Sequence, residues 1–258
     1  MEVITRPNTE LAVELVARLL ADRIRARTNI VLGLATGRTM ERIYERLAGS
    51  DVSFKGCTTF NLDEYIGISA DDAHSYRHYM DKHFFSRIDI DLANTHVPDG
   101  TALDLKEAAD QYEKMIEKSG GVDVQLLGIG EAGHIGFNEP LSSIMSRTRD
   151  KSLTLTTRRQ NMGMFGGNID KVPKRALTMG VGTILDAKEL IMLATGSAKA
   201  AIVAKAVEGP ITSMVSASAI QLHPNCKVIV DEEAAENLQG REYYEFVFEN
   251  EPEWADYR

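Results

Sequence analysis

The sequence has few of the residues that would cross-link a small fold or carry a chain into a membrane. Its 258 residues include two cysteines, one tryptophan and seven prolines. Two cysteines cannot build a disulfide framework, so we expect a reduced, cytoplasmic protein. No apolar run approaches the ~18 residues of a membrane span, and no charged-then-apolar leader begins the chain. Neither a membrane partner nor secretion is therefore expected.

Positive charge is also in short supply. Lys and Arg number 29 against 38 Asp and Glu, which leaves a formal net charge of −9. That balance disfavours nucleic acid as a partner. Hydrophobic residues make up 43% and charged residues 26%, ordinary values that exclude a disordered, fibrous or coiled-coil protein. An acidic protein that handles a phosphorylated substrate must build a local cationic pocket.

Short apolar runs alternate with helical patterns along the chain. After the candidate caps Asn8 and Thr9, leucines at helical spacing predict a first helix that continues to Ile24. Strands are predicted over 30–35, 57–62, 122–129, 189–194 and 227–231. This alternation favours an α/β fold, an open, mostly parallel twisted sheet with helices on both faces, Rossmann-like and three-layered. We expect one domain over 1–258, with a mobile flap at 141–175, the least regular stretch.

Polar clusters follow several of these strands, and open sheets of this kind bind ligands beyond the carboxyl ends of their strands. Two clusters, Thr36-Gly37-Arg38-Thr39 and Gly196-Ser197-Ala198-Lys199, are predicted strand-to-helix turns. Backbone N–H groups and a cation favour phosphate there, although neither turn has the spacing of a Walker loop. Arg147, Arg149 and Lys151 form a further candidate anion cluster, or a solvated loop.

Two other clusters carry groups suited to proton transfer. Asp63 and Glu64 form a carboxylate pair at a strand end, and proton abstraction next to a carbonyl needs such a group. A solvated turn is the alternative. The loop 133–140 contains His134 and Glu139, so that a carboxylate can fix the imidazole tautomer and raise its basicity. A His satisfied by backbone, with Glu139 as a capping acid, is the alternative.

Two patterns point to cofactors but only weakly. Gly128 to Gly133 matches G-x-G-x-x-G after a predicted strand, yet Pro140 interrupts the segment where a phosphate-binding helix should run. His74 and His78 are spaced i, i+4 as in half of a metal site, but no third ligand is in register, which favours a solvated helix face. We therefore expect no nucleotide, no metal and no other cofactor.

These segments resemble the glucosamine-6-phosphate deaminase family over essentially the whole chain. The resemblance is carried by the 32–37 turn and by FNLDEY at 60–65, GHIGFNEP at 133–140, SRTR at 146–149, VPK at 172–174, LTMGVGT at 177–183 and QLHP at 221–224. It implies an amino-sugar enzyme that converts glucosamine 6-phosphate and water to fructose 6-phosphate and ammonia without a cofactor.

The resemblance also implies roles for individual residues. Asp63 would move a proton between C2 and C1 of the sugar. His134 would assist opening of the pyranose ring, with Glu139 orienting and tuning the imidazole. Lys199 and the Thr36–Thr39 turn would hold the phosphate of this small-molecule hexosamine phosphate substrate.

The chain departs from the family pattern at three positions. Ala132 stands where family members usually carry Asp or Asn, with Glu131 as the neighbouring replacement. Gly163 stands where many carry a phosphate-binding Arg, and Arg38 stands where many carry Gly. We interpret the last two changes as one cation moved from flap to turn. The departures leave open another hexosamine phosphate, such as galactosamine 6-phosphate, as the substrate.

The resemblance further implies a homo-oligomer, hexameric in some members, with an effector site that Ser142, Arg149 and Lys151 match. Two other function classes remain as alternatives. Phosphogluconolactonases look like distant relatives, but their Gly-His loop does not continue as Ile-Gly-Phe-Asn-Glu-Pro, and a lactonase has no need for Asp63. Sugar-phosphate sensors with a similar fold carry an added DNA-binding segment, whereas here the first helix starts near residue 8.

Overall fold

Two sheets organise the protein, and the larger one contains every strand predicted from the sequence. The structure is a computed structural model that describes residues 1–258. The strands are β1 (Glu2–Arg6), β2 (Val31–Leu34), β3 (Thr58–Asn61), β4 (Asp63–Tyr65), β5 (Thr95–His96), β6 (Val124–Leu127), β7 (Arg149–Ser152), β8 (Arg175–Thr178), β9 (Glu189–Ala194) and β10 (Cys226–Asp231). Seven of them form a parallel sheet in the order β1-β10-β9-β6-β2-β3-β5.

Helices flank this sheet, as the predicted α/β fold requires. They are α1 (Thr9–Ala26), α2 (Arg38–Ala48), α3 (Tyr76–His83), α4 (Leu105–Lys118), α5 (Leu155–Asn161), α6 (Val181–Leu185), α7 (Ala200–Val207) and α8 (Arg241–Asn250). Helix α1 begins where its cap predicts, because the Asn8 side chain accepts a hydrogen bond from the Leu11 N–H. None of the helices is long and apolar enough to cross a lipid bilayer.

The central strands are buried along their whole length. Every residue of β2, β6, β9 and β10 is buried, which is typical of parallel strands covered on both faces. That burial explains why continuous apolar runs predicted these strands. The predicted single-domain architecture is confirmed.

The strand order reverses between β2 and β6. From β2 the sheet continues through β3 to β5 on one side, and from β6 it continues through β9 to β10 on the other. A crevice opens beyond the carboxyl ends of the strands at such a reversal. The turn 36–39 follows β2, the loop 128–140 follows β6, and the turn 196–199 follows β9. The fold therefore gathers the predicted polar clusters around one crevice.

The smaller sheet is antiparallel, with the order β4-β8-β7. Asp63 of β4 lies opposite Thr178 of β8, and β7 pairs with the other edge of β8. The segment 141–175 thus contains β7, α5 and two 3₁₀ turns, so it is more regular than the sequence suggested. Its mobility stays a prediction. A small apolar cluster underlies this sheet and consists of Tyr65, Tyr76, Phe137, Leu153, Phe165, Val172 and Ala176.

Candidate active site

Asp63 begins β4 and lies beside the loop 133–140. Its side chain is buried, with 7% exposure, and its Oδ2 stands 3.4 Å from where a Cβ on Gly136 would be. Burial raises the pKa of Asp63 to about 8, the charge of Glu64 adds to the rise, and the Phe137 N–H opposes it. A carboxyl group whose pKa lies near neutrality can both accept and return a proton.

His134 and Glu139 face each other inside the same loop. His134 Nδ1 lies 3.6 Å from Glu139 Oε2, and neither atom has another hydrogen-bond partner. The other carboxylate oxygen of Glu139 accepts from the Thr154 N–H at 2.8 Å. Burial lowers the pKa of His134, while the charge of Glu139 raises it and that of Lys199 lowers it. The imidazole is therefore held neutral and able to accept a proton.

A tight turn delivers His134 to this position. The Gly130 N–H donates to the His134 carbonyl, and the Gly133 N–H donates to the Gly130 carbonyl, both at 2.9 Å. The imidazole packs so closely over Gly130 that a Cβ there would overlap the ring. Glycine is required because only it permits this approach. No helix follows Gly133 before β7, so the G-x-G-x-x-G pattern here serves a loop and not a dinucleotide site.

Glu131 and Ala132 precede His134 in the loop after β6. Glu131 is exposed, Ala132 is half-buried, and the Glu131 N–H donates to Gln160 Oε1 at 3.1 Å. The charge of Glu131 raises the pKa of both His134 and Lys199. Glu131 is thus within electrostatic reach of the ring-opening candidate, where Ala132 supplies no polar group.

Lys199 reaches across from the turn after β9 to the loop after β6. Its Nζ donates to the Ile129 carbonyl at 2.7 Å, and burial lowers its pKa. On the other side of the crevice, the turn 36–39 leads into α2, and Tyr79 Oη donates to the Gly37 carbonyl at 2.8 Å. Thr36 and Thr39 are half-buried, whereas Gly37 and Arg38 are exposed.

Arg38 projects from the first position of α2 toward the flap. Its guanidinium Nη2 lies 3.2 Å from where a Cβ on Gly163 would be. Arg38 makes no ion pair, unlike its helix neighbour Arg42, which pairs with Glu10. The two positions that the sequence interpretation linked are therefore in contact in space.

The flap reaches both walls of the crevice. Gln160 contacts Glu131 of the loop after β6, and Gly163 lies against Arg38 of the turn after β2. Phe165 packs edge-on against Tyr65, with ring centroids 5.5 Å apart. The segment 160–165 thus spans the crevice between the two walls.

Two of the residues predicted to hold an effector, Ser142 and Arg149, contact the loop 133–140. Ser142 is buried, and its Oγ has no partner. Arg149 donates to Asn138 Oδ1 at 2.9 Å. Lys151 follows two residues later in β7, on the same strand face as Arg149. Ser142 and Arg149 therefore both adjoin the loop that carries His134.

Some residues of the site were missed or misplaced by sequence reasoning. Asn138 holds the loop by donating to the Ile135 and Met179 carbonyls, a role that its place in the loop motif did not reveal. His74 precedes α3, where it pairs with Asp72 and stacks on Phe165, so it shares no helix face with His78. No group of three or more His, Cys, Asp or Glu residues is placed to hold a metal ion.

Proton-transfer groups at the reversal point of an open parallel sheet are typical of an α/β enzyme that acts on a small molecule. The family model for glucosamine-6-phosphate isomerases and 6-phosphogluconolactonases matches residues 8–229. The chain belongs to this family, and the predicted resemblance is confirmed.

Within the family, the chain is similar over nearly its whole length to glucosamine-6-phosphate deaminases. A glucosamine-6-phosphate deaminase from Shewanella loihica is 46% identical over 249 residues, which are 95% of this chain and 92% of the relative. One from Streptomyces coelicolor is 43% identical over 258 residues, covering 98% and 99%. The solved structure of a monomeric glucosamine-6-phosphate deaminase matches with a TM-score of 0.88 and 43% identity, covering 92% of this chain and all of that one.

A lactonase shares the fold at greater distance. The 6-phosphogluconolactonase from Trypanosoma brucei matches with a TM-score of 0.75 at 21% identity, covering 92% of this chain and 98% of that one. At this identity the likeness shows the fold alone.

Proposed function

We propose that this protein is a hexosamine-phosphate deaminase that converts glucosamine 6-phosphate and water to fructose 6-phosphate and ammonia. The observation that carries the proposal is the meeting of Asp63 with the His134 loop in one crevice, in a chain 42–46% identical to deaminases. Aldose–ketose isomerisation needs a base at the C2 proton, and deamination then needs only water.

We place the substrate phosphate between the turn 36–39 and Lys199. The N-terminus of α2 presents backbone N–H groups, and Lys199 and Arg38 add positive charge from opposite sides. Thr36 and Thr39 offer hydroxyl donors, and Gly37 allows close backbone approach. Binding energy from this unreactive group positions C2 of the sugar against the base.

We assign ring opening to His134 with Glu139. The neutral imidazole accepts the proton of the anomeric hydroxyl and returns it to the ring oxygen O5 as the C1–O5 bond breaks and the C1 aldehyde forms. Glu139 stabilises by its charge the imidazolium formed in this step. The separation of 3.6 Å between Nδ1 and the carboxylate is longer than a hydrogen bond but close enough for charge–charge stabilisation of the protonated ring.

We assign proton transfer to Asp63. The carboxylate removes the C2 proton of the open-chain 2-amino aldehyde, an enolamine forms, and the same proton is delivered to C1. Water adds to the resulting ketimine at C2, and ammonia leaves as the C2–N bond breaks. The sum of these steps consumes one water and releases one ammonia per fructose 6-phosphate.

A panel of hexosamine 6-phosphates tests the proposal. Purified protein should release ammonia and ketose phosphate in equal amounts from glucosamine 6-phosphate, and Asp63→Asn should lower the rate of both ~10²-fold or more. Faster turnover of galactosamine 6-phosphate would move the assignment to that substrate. Hydrolysis of 6-phosphogluconolactone without ammonia release from any amino sugar would overturn it.

We also propose a homo-oligomer with an effector site at Ser142, Arg149 and Lys151. The contact of Arg149 with Asn138 supports a route from this surface to the catalytic loop. A relative of 43% identity is described as monomeric, so light scattering of the purified chain is the direct measurement. A monomer whose kinetics ignore amino-sugar phosphates would refute the proposal.

We further propose that the protein works in the cytoplasm. Cys57 and Cys226 are both buried and unpaired, which suits a reducing compartment. Fractionation of the producing cell with a specific antibody tests this.

A further inference from the structure

We propose that Glu64 is the positioning residue for proton transfer, one that fixes the strand carrying Asp63 to helix α3 and sets the pH range in which Asp63 works. The proposal rests on the assignment of Asp63 as the base. Glu64 has no place in the reaction steps above, although it is only 3% exposed.

The carboxylate of Glu64 caps the start of helix α3 together with Ser75. Oε1 accepts from the Tyr65 N–H at 2.8 Å and from the Tyr76 N–H at 3.0 Å, and Oε2 accepts from the Arg77 N–H at 3.0 Å. Tyr76 and Arg77 are the first two residues of α3, and Ser75 Oγ accepts from the third, His78. A side chain from β4 thus satisfies N–H groups that a helix start leaves open.

Helix α3 carries this anchorage to the proposed phosphate subsite. Tyr79 of α3 donates its hydroxyl to the Gly37 carbonyl. Tyr76 of the same helix packs against Tyr65 of β4, with ring centroids 5.0 Å apart. Glu64 therefore links the strand that carries Asp63 to the turn that would hold the substrate phosphate. The length of the Glu64 side chain sets the distance between Asp63 and that turn.

The charge of Glu64 acts directly on Asp63. The titratable groups that face Asp63 are Glu64 and Tyr65 on β4, Tyr76 on α3 and Tyr112 on α4. Burial raises the pKa of all three tyrosines above 10, so they stay neutral near pH 7. Burial also raises the pKa of Glu64 to about 7 against its three N–H partners, and Asp72 adds to the rise. Glu64 is thus the ionisable neighbour that opposes ionisation of Asp63.

Two variants of Glu64 separate the effect of its charge on Asp63 from the effect of its side-chain length. Glu64→Gln keeps the length but removes the charge, so the acid limb of kcat/KM should move to lower pH by ~0.5–1 unit, the size of a like-charge effect. Glu64→Asp keeps the charge but shortens the side chain. Its acid limb should stay in place, while kcat falls about tenfold because the base and the phosphate are no longer held in register.

The pH profile and kcat of the two variants distinguish a positioning role of Glu64 from a purely structural one. A purely structural residue would lower kcat in both variants without moving the acid limb of Glu64→Gln, and that result would overturn the proposal. If Glu64→Gln is too unstable to assay at room temperature, its pH profile is measured at a lower temperature; wild-type kcat in Glu64→Asp contradicts the positioning claim in either case. The assay uses the hexosamine phosphate that the wild type turns over fastest. Failure of the wild type on every such substrate would instead refute the proposed function.

Discussion

Asp63 is a buried carboxyl group that must ionise to act as a base, and its ionisation opposes folding. Its pKa of about 8 lies above the ordinary value of 3.8, so the native state holds this proton more tightly than the unfolded chain does. Native stability therefore falls as pH rises from about 4 to 8. Asn carries no such charge.

We expect Asp63→Asn to be more stable than the wild type at pH 8 and nearly equal to it at pH 4. The difference should reach ~4–6 kcal/mol, because the pKa of Asp63 rises from 3.8 to about 8 and each pKa unit corresponds to ~1.4 kcal/mol. Turnover should fall ~10²-fold or more. Thermal unfolding across this pH range, with solvent deuterium exchange at C1 or C2, measures both effects. Wild-type turnover, or a stability difference independent of pH, would contradict the interpretation.

Ala132 is the residue at which ring opening should be improvable. A carboxylate beside the imidazole can relay or orient a proton, and acid–base assistance is worth ~10²–10⁴-fold. We expect Ala132→Asp to raise turnover of cyclic glucosamine 6-phosphate, and Glu131→Gln to lower it if Glu131 has taken over that role. Pre-steady-state kinetics on the cyclic substrate measure this step. A neutral Ala132→Asp, with faster turnover of another amino-sugar phosphate, would identify that sugar as the substrate.

At the scale of elements, the start of α2 and the flap meet at one place, where a single positively charged side chain can stand. The Arg38 guanidinium already occupies the space next to Gly163. We expect Arg38→Gly to raise the KM for the phosphorylated sugar about tenfold, the worth of a charge-assisted hydrogen bond. Gly163→Arg should recover part of this loss in the Arg38→Gly background and should impair the wild type, because two guanidiniums would then compete.

Steady-state kinetics of the two single variants and the double variant measure this coupling as a departure from additivity. Arg42→Gly is the matched control, since Arg42 lies on the same helix and pairs with Glu10 on the outer surface. Its KM should stay at the wild-type value. Additive effects of Arg38 and Gly163 would show that the two positions do not share one ligand.

Sequence patterns predicted the elements whose residues are all buried. The run 189–194 is β9 to the residue, because both faces of that strand lie in the core. Strand β7 escaped prediction since its residues, Arg149 to Ser152, are polar and its order depends on pairing with β8, 25 residues away along the chain. Strand β5 has only two residues, too few to show a pattern.

The same contrast between local pattern and long-range contact applies to the residues of the site. His134 and Glu139 were found because five residues separate them on one loop. The role of Glu64 depends on N–H groups of a helix that begins 12 residues later, and spacing alone does not show which helix start faces which strand. The contact between Arg38 and Gly163 is longer-ranged still. There the family comparison suggested a link that only the fold could bring into contact.

At the scale of the whole molecule, the end opposite the crevice is closed by the C-terminal segment. Trp254, the single tryptophan, is fully buried and lies 5.6 Å from the Phe248 ring and 5.8 Å from Lys227 Nζ. Lys227 is near the start of β10, whereas the proposed site lies beyond strand ends. Stability and catalysis should therefore be separable at this residue.

We expect Trp254→Ala to lower the free energy of unfolding by ~3–5 kcal/mol, as loss of a large buried aromatic side chain does. KM and kcat below the melting temperature should stay at wild-type values. Trp254→Phe, which keeps most of the ring, is the control and should cost less. Chemical denaturation followed by circular dichroism measures the first effect. A changed KM in folded Trp254→Ala would mean that the tail influences the site.

The proposed base and the proposed phosphate-binding residues belong to different sheets, which bears on how the site could change in evolution. Asp63 stands on the small antiparallel sheet, whereas Arg38 and Lys199 follow strands of the large parallel one. His134 and Glu139 also follow a strand of the large sheet, so only the proposed C2 proton transfer, and not ring opening, is separate from substrate binding. We expect a descendant that lost the Asp63 carboxylate to bind sugar phosphates without turning them over. Such a protein could serve as a receptor in which the position of the flap changes when ligand binds. By the same logic, new reactions could be installed on three residues of β4 while an old binding site is retained.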